Sequence, residues 1–513
     1  MQHNDFLLTK IIATLGPASS SLEVISKLIR EGVRVFRINF SHGLFSEYEA
    51  LLKTIRKAEK ETGTYVAVMG DLSGPKIRVG KVIESGVMLE KGQEVSFVKK
   101  AVVAGEAGTE FVFSSTLPEF VDEVKARESI LLDDGNVSLE SIRTSGKGES
   151  KVLHCKVING GLITSAKGIN LPDTELSLPS MTEKDFRCAE FAVEKGFDYL
   201  ALSFVRSGAD VKILKDKLVE LGARPEGEML TSGSMGFSKS NEKLKKLIPI
   251  ISKIEKPQAL KNLKDIVEET DGVMVARGDL GVEMDLAEVA ILQKRIISLC
   301  QEYGKPVIVA TQMLQSMLES PVPTRAEVSD VANAIFDGAD AVMLSGETAV
   351  GKYPVETVKM MNRVAAKTNN YIKANNLQTG ETIRKSSLSN RTAAIANGVR
   401  TIVEDISPKF LVLWTKLGGS AVYLSRYRMP LPIIVFSNDE NRLRQLSVLY
   451  GIKPRLMDTP KSGSDFIKKI DKLMLAEKWA EKGDAIVIVS GDPIDRVGVT
   501  NRIVIHYIGE LVD

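Results

Sequence analysis

The sequence predicts an α/β protein: a (β/α)8 (TIM) barrel, an all-β domain inserted into it, and a separate C-terminal α/β domain. Three observations carry that prediction. An amphipathic helix, a glycine and a short apolar strand ending in polar residues recur along the first two thirds of the 513 residues. Between about Lys76 and Leu178 the apolar period changes to two, punctuated by glycine. After about Tyr371 a new series of apolar strands begins. The expected boundaries are 1–75 and 179–370 for the barrel, 76–178 for an inserted β-barrel lid, and 371–513 for the last domain.

The first copy of the repeat opens at Ser20 to Glu23, which reads as a capping box, and Val24, Ile25, Leu28 and Ile29 share one helical face. Gly32 ends that helix, and the strand Val33–Ser41 follows. Further strands are expected at Ile11–Ala13, Val66–Met69, Tyr199–Ser203, Ile248–Ile254, Val273–Ala276, Pro306–Val309 and Ala341–Leu344. About eight apolar strands separated by helix-length segments make the pattern of alternating β and α units around a parallel sheet. In the inserted region Glu94–Val98, Ile130–Leu132 and Lys151–Val157 read as strands, with Leu153, Cys155 and Val157 on one face. In the last domain the strands are Phe410–Trp414, Ile433–Phe436, Ala485–Val489 and Ile503–Ile505. Gly222 to Ser240, rich in glycine and serine, reads as a flexible surface loop without chemistry.

Composition narrows the function. The chain is 43% hydrophobic and 26% charged, ordinary for a globular protein. Lysine and arginine (68) nearly balance aspartate and glutamate (66), so no global field draws the chain to nucleic acid or an acidic membrane. Lys243 to Lys246 and Lys468-Lys469 lie on amphipathic segments without interleaved aromatics and read as solvated helix faces. No apolar run reaches membrane-spanning length and no leader-like segment opens the sequence, so the expected location is cytoplasmic. The three cysteines, Cys155, Cys188 and Cys300, are odd in number and far apart, which suits reduced thiols.

In a (β/α) barrel the carboxyl ends of the strands build the active site, and here those ends are polar. Arg37, Asn39 and Ser41 alternate along one strand and share a face, with His42 following; an arginine there suits phosphate. The third strand runs into Gly70-Asp-Leu-Ser-Gly-Pro-Lys-Ile-Arg78, where glycine admits a ligand and Lys76 and Arg78 add positive charge. Lys253 and Glu255 emerge together from an apolar strand, and burying both without a task is costly. The next strand ends in Ala276-Arg-Gly-Asp279, and Asp279 with Glu255 offers two carboxylates to a hard divalent cation, Mg²⁺ or Mn²⁺. Thr311 and Ser345 place hydroxyls, which can relay protons, at the following two strand ends.

Assembled, these residues lie in long ordered motifs: Arg37-Ile-Asn-Phe-Ser-His-Gly43, Ser252-Lys-Ile-Glu255, Met274-Val-Ala-Arg-Gly-Asp-Leu-Gly-Val-Glu283, Ala310-Thr-Gln-Met-Leu314, Pro323-Thr-Arg-Ala-Glu-Val-Ser-Asp330 and Met343-Leu-Ser-Gly-Glu-Thr348. In them the chain resembles the pyruvate kinase family over nearly its full length. The resemblance implies transfer of the phosphoryl group of phosphoenolpyruvate to ADP, giving pyruvate and ATP, the last step of glycolysis. It implies that Glu255 and Asp279 hold Mg²⁺, that Lys253 neutralises charge on the phosphoryl group in flight, and that Arg37 fixes the phosphate. It further implies that the backbone N–H groups at Gly278 and Asp279 receive the substrate carboxylate, that Thr311 joins the relay that protonates the enolate, assisted by Ser345, and that Asn39, His42, Arg78 and Lys184 contact the nucleotide beneath the closing β domain.

Many family members hold K⁺ at positions that correspond to Asn39, Ser41, Asp71 and the carbonyl of Leu72. Where K⁺-dependent members carry an acidic residue this chain has Lys76, whose ammonium can stand in for the cation's charge, and the expectation leans toward K⁺ independence. Lys256-Pro-Gln-Ala departs from the family's usual Asn-x-Glu-Gly. In the last domain Thr415-Lys-Leu-Gly-Gly-Ser420 sits where the family binds a phosphorylated effector: Thr415, Lys416, Gly418, Gly419 and Ser420 form a turn that could cradle phosphate or stand as plain structure. The family suggests a homotetramer under allosteric control. Two other readings compete. A Mg²⁺-dependent lyase on the same barrel would not need the inserted domain, Lys184 or the basic Gly-Pro-Lys-Ile-Arg segment. A binding protein that has lost catalysis is opposed by the intact Lys253, Glu255, Asp279 and Thr311.

Overall fold

The computed structural model describes residues 6–41, 43–224, 247–377, 391–494 and 499–510. Eight strands close into a parallel barrel: β1 (Lys10–Thr14), β2 (Val33–Asn39), β3 (Ala67–Asp71), β4 (Tyr199–Leu202), β5 (Ile250–Ile254), β6 (Gly272–Ala276), β7 (Val307–Ala310) and β8 (Ala341–Leu344). Each pairs with the next, and β1 returns to β8 in the register Lys10↔Ala341 to Ala13↔Leu344. Strands covered on both faces read as continuous apolar runs. That is why seven of the eight are buried at every residue and only β2 alternates, with Arg34, Arg37 and Asn39 at its less buried positions.

Ser21, not Ser20, caps the first helix (Leu22–Arg30): its backbone is extended, and its side chain accepts the Val24 N–H at 3.3 Å. Gly32 then adopts φ +117°, which a side chain would strain, and the chain turns into β2.

Between β3 and β4 the chain builds a six-stranded sheet in the order Ile169–Asn170, Ser129–Leu132, Val137–Ser145, Val152–Asn159, Glu94–Val98, Val112–Phe113, with two separate two-stranded ladders. Sequence reasoning expected a closed β-barrel here. The two outer strands do not pair with each other; beside them run only the isolated bridges Arg78–Gly168 and Val79–Ser115, so no ladder closes the sheet. Leu153, Cys155 and Val157 do share the buried face, with Phe97, Phe113 and Phe120.

The last domain is a five-stranded sheet ordered β11 (Ile452–Leu456), β10 (Ile433–Ser437), β9 (Phe410–Trp414), β12 (Ala485–Ser490), β13 (Arg502–Tyr507), parallel except for β13. β11 escaped the sequence reading because Pro454 interrupts it, which an edge strand tolerates. This domain plugs the amino end of the barrel. Barrel-interior residues such as Tyr199, Ile251 and Met274 form one apolar cluster with Leu411, Val422 and Leu449, and the Tyr199 hydroxyl donates to the Gln445 carbonyl at 2.5 Å. Glu59 takes Arg444 at 2.8 Å across the same junction.

All three cysteines are buried thiols, and burial raises each above its ordinary pKa, Cys188 to about 11. Among the described residues no helix is long and apolar enough to cross a membrane. Lys469 pairs with Asp465 along one exposed helix face, whereas Lys243 to Lys246 lie outside the described residues. So does most of Gly222 to Ser240; at its start, Arg224 is buried in a two-pronged pair with Asp271, at 2.6 and 2.9 Å.

Candidate active site

At the carboxyl end of the barrel four charged side chains form a chain of alternating sign, and a fifth, a second carboxylate, follows them. Arg37, on β2, meets Asp71, the last residue of β3, at 2.5 Å. The Lys253 ammonium, on β5, lies 3.4 Å from the other Asp71 oxygen and 2.8 Å from Glu255 Oε1. Asp279 follows on the helix Arg277–Glu283 after β6, close enough that its charge reaches both Glu255 and Lys253. Burial works to lower the Lys253 pKa, but the facing Asp71 and Glu255 carboxylates outweigh it and hold the ammonium above its ordinary value. Asp71 is pushed up by burial and pulled further down by Arg37 and Lys253.

Glu255 is the exception. Burial and the neighbouring Asp279 hold its carboxyl above the ordinary carboxylate range, although Lys253 and the Phe204 N–H, donated to Oε2 at 2.7 Å, act against them. Two carboxylates that repel each other at a buried site fit a hard divalent cation, which removes that repulsion. Among the described residues no third carboxylate, histidine or cysteine joins them, so other oxygen ligands would come from water and substrate.

Two supports of this chain carried no sequence signal. Ser203, just past β4, accepts the Lys253 ammonium at 2.9 Å and donates to the Leu72 carbonyl at 2.6 Å. Phe204, which presents its N–H to Glu255, sits at φ +54°, a strained backbone for an aromatic residue.

The loops after β7 and β8 hold the two expected hydroxyls differently. Thr311, at φ +70°, accepts the Gly278 N–H at 2.6 Å and donates to the Ala310 carbonyl. Arg277 fixes this loop: its guanidinium spans both Asp330 oxygens at 2.7 Å and donates to the Thr311 carbonyl at 3.0 Å. Sequence reasoning gave Arg277 no role, because its partner is 53 residues away. The Ser345 hydroxyl is buried without a hydrogen-bond partner among the described residues, while its N–H donates to the buried Glu347, which also accepts from Leu314.

Among the residues expected to contact the nucleotide, Asn39 Oδ1 accepts the Ser41 N–H at 3.0 Å, and Lys184 donates to the Ser41 carbonyl at 3.1 Å. Arg78 is tied to the Ala166 carbonyl of the inserted domain at 2.8 Å, and His42 lies outside the described residues. Three of the four expected K⁺ donors are engaged: Asn39 by the Ser41 N–H, Asp71 by Arg37 and Lys253, the Leu72 carbonyl by Ser203. Lys76 itself is exposed, its ammonium 5.8 Å from the centre of the Phe204 ring. Between the inserted domain and the barrel opens a cleft of about 770 Å³, lined by Lys76, Arg78, Phe204 and Lys256 and reaching the charged chain at Asp279.

In the last domain Thr415 accepts the Gly418 N–H at 3.0 Å, Gly418 takes φ +86°, and Ser420 meets Thr500 at 2.5 Å. Thr415 is buried, and the turn is closed by its own hydrogen bonds.

A buried lysine between carboxylates at the strand ends of a closed (β/α)8 barrel, beneath an inserted β domain, defines a barrel enzyme for an anionic substrate. Comparison with known proteins gives the rest. Residues 7–225 and 238–358 match the pyruvate kinase barrel domain, and 393–506 match the pyruvate kinase alpha/beta domain. The pyruvate kinase of Corynebacterium glutamicum is 38% identical over 504 residues, 98% of each chain. That of Mycobacterium intracellulare is 39% identical over 502, again 98% of each. That of Thermotoga maritima is 39% identical over 495, 96% of this chain and 98% of its own. The chain belongs to the pyruvate kinase family, and it is a kinase.

Proposed function

We infer that this chain transfers the phosphoryl group of phosphoenolpyruvate to ADP, giving pyruvate and ATP. The observation that carries the reading is the grouping of Lys253, Glu255 and Asp279 at adjacent strand ends, in a chain that pyruvate kinases match from end to end. Glu255 and Asp279 would hold Mg²⁺ or Mn²⁺, which when bound supplies a positive charge that polarises the substrate oxygens. Arg37 fixes the phosphoryl group before transfer. Lys253 carries a full positive charge at neutral pH and meets the charge on the phosphoryl group as it moves, the electrostatic role on which such transfers chiefly depend. The substrate carboxylate rests on the backbone at Gly278 and Asp279, where the Gly278 N–H would exchange the Thr311 hydroxyl for substrate. Thr311, freed from that bond, hands a proton toward the enolate carbon with Ser345 beside it.

ADP lies along Asn39, His42, Arg78 and Lys184, and the inserted domain excludes water over it. The engaged state of Asn39, Asp71 and the Leu72 carbonyl supports a reaction that does not need K⁺. The enzyme acts in the cytoplasm as a homotetramer; Leu286 and Ile291, 76% and 68% exposed on one barrel helix, suit a subunit contact. A phosphorylated effector binds at Thr415, Lys416, Gly418, Gly419 and Ser420. The test is pyruvate formation from phosphoenolpyruvate and ADP with Mg²⁺, with and without K⁺. Activity in both supports the reaction and its K⁺ independence, activity with K⁺ alone removes K⁺ independence, and no pyruvate in either overturns the reaction.

A further inference from the structure

The inserted domain is seated on the far end of the helix Arg277–Glu283, whose first turn carries Gly278 and Asp279. A side chain built at Gly135 of that domain would stand 3.8 Å from Val282. Asn170, on its strand Ile169–Asn170, donates from Nδ2 to Glu283 Oε1 at 2.8 Å. Glu283 is the last residue of the helix, so the seat of the lid and a proposed metal carboxylate are opposite ends of one seven-residue element.

Glu283 is an expensive residue for a plain contact. Its side chain is fully buried, and Oε1 takes both Asn170 and the Lys256 ammonium, while Oε2 has no hydrogen-bond partner among the described residues. A buried carboxylate left half-satisfied costs stability unless it serves something else. Lys256 follows Glu255 directly in the chain and lines the cleft, its ammonium 5.6 Å from the centre of the ring of Phe204, the residue whose backbone N–H holds Glu255. Asn170, Glu283 and Lys256 therefore join the inserted domain to both strand ends that carry the proposed metal carboxylates.

We propose that Glu283 is a positioning residue that latches the inserted domain over the cleft through Asn170, with Lys256 neutralising its charge so that the latch closes over an anionic nucleotide. The proposal rests on the reaction inferred above. It places the latch's effect in the nucleotide step, because the cleft it closes is the nucleotide's side of the site.

The test exchanges the two partners. Asn170→Asp sets a carboxylate against Glu283 and should lower kcat/KM for ADP by about tenfold or more, the size of one lost hydrogen bond to a charged group, with a smaller change in KM for phosphoenolpyruvate. Glu283→Gln in the Asn170→Asp background restores a donor facing an acceptor and should recover most of that loss. Thermal unfolding should remain cooperative in both, and Mn²⁺ binding, followed separately, should match wild type. If the two substitutions instead multiply their losses, or if Asn170→Asp has no effect while wild type makes pyruvate, the latch is overturned. A wild type that makes no pyruvate overturns the underlying reaction, a distinct result.

Discussion

The Lys253 ammonium lies 2.8 Å from Oε1 of Glu255, two residues further along the same chain direction, and both side chains are buried. Alternation along a strand puts residues i and i+2 on one face, so β5 delivers the pair to one point at the mouth of the barrel. Such a pair pays a desolvation cost that its attraction only partly repays. The site tolerates it because Asp71 and Ser203 complete the shell of Lys253, and because the uncompensated charge that remains is what an anionic substrate and its cation would meet.

Lys253→Met removes the positive charge and keeps the apolar stem. Loss of one preorganised electrostatic group commonly costs about 10²–10³ in rate, and kcat should fall by at least that much, with KM for phosphoenolpyruvate changed far less. Steady-state kinetics of the purified variant check this. A variant that keeps a tenth of the wild-type kcat removes Lys253 from the reaction.

Arg277→Lys tests the support of the Thr311 loop. Arginine spans both oxygens of Asp330 and still reaches the Thr311 carbonyl, a fork that a single ammonium cannot reproduce. Thr311 and Gln312 both hold positive φ, and such backbone persists only where the surroundings impose it. The expected result is a fall in kcat of about tenfold or more, the worth of one or two charge-assisted hydrogen bonds, with Mn²⁺ binding unchanged. Equal kcat in variant and wild type would show that the loop holds its shape without Arg277.

The strands of the barrel were legible because burial on both faces leaves an uninterrupted apolar run, and the polar strand ends stood out against it. The charged chain was legible for the same reason: Lys253 and Glu255 are conspicuous in Ile250-Ile-Ser-Lys-Ile-Glu255. What stayed hidden was whatever depends on distant partners or on backbone shape. Arg277 finds Asp330, Asn170 finds Glu283 across 113 residues, and nothing local announces either. Ser203 looks like an ordinary strand end until Lys253 is placed beside it. Phe204 gives no sign of its positive φ, since sequence rules assign that region to glycine and asparagine. Pro454 concealed β11, because a proline argues against a strand unless the strand is known to lie at an edge.

At the opposite end of the barrel, Lys305 predicts a pH dependence of stability. Burial, opposed by Asp271 but reinforced by Arg426, Lys215 and Arg224, lowers its pKa to about 7, from an ordinary value near 10.5. Its ammonium donates to the Thr270 carbonyl at 2.6 Å. Between about pH 7 and 10 the unfolded chain holds a proton on this lysine that the folded chain does not, so stability should rise with pH across that window. Below about pH 7 both states are charged, and the full cost of burying the ammonium is present. Lys305→Met has no proton to exchange. Relative to that variant, wild type should therefore gain about 1 kcal/mol per pH unit between roughly pH 7 and 9. Urea unfolding of the two proteins at a series of pH values measures the difference directly. Curves that run parallel through the window would mean that Lys305 keeps an ordinary pKa in the folded protein, its charge met by Asp271 and the Thr270 carbonyl.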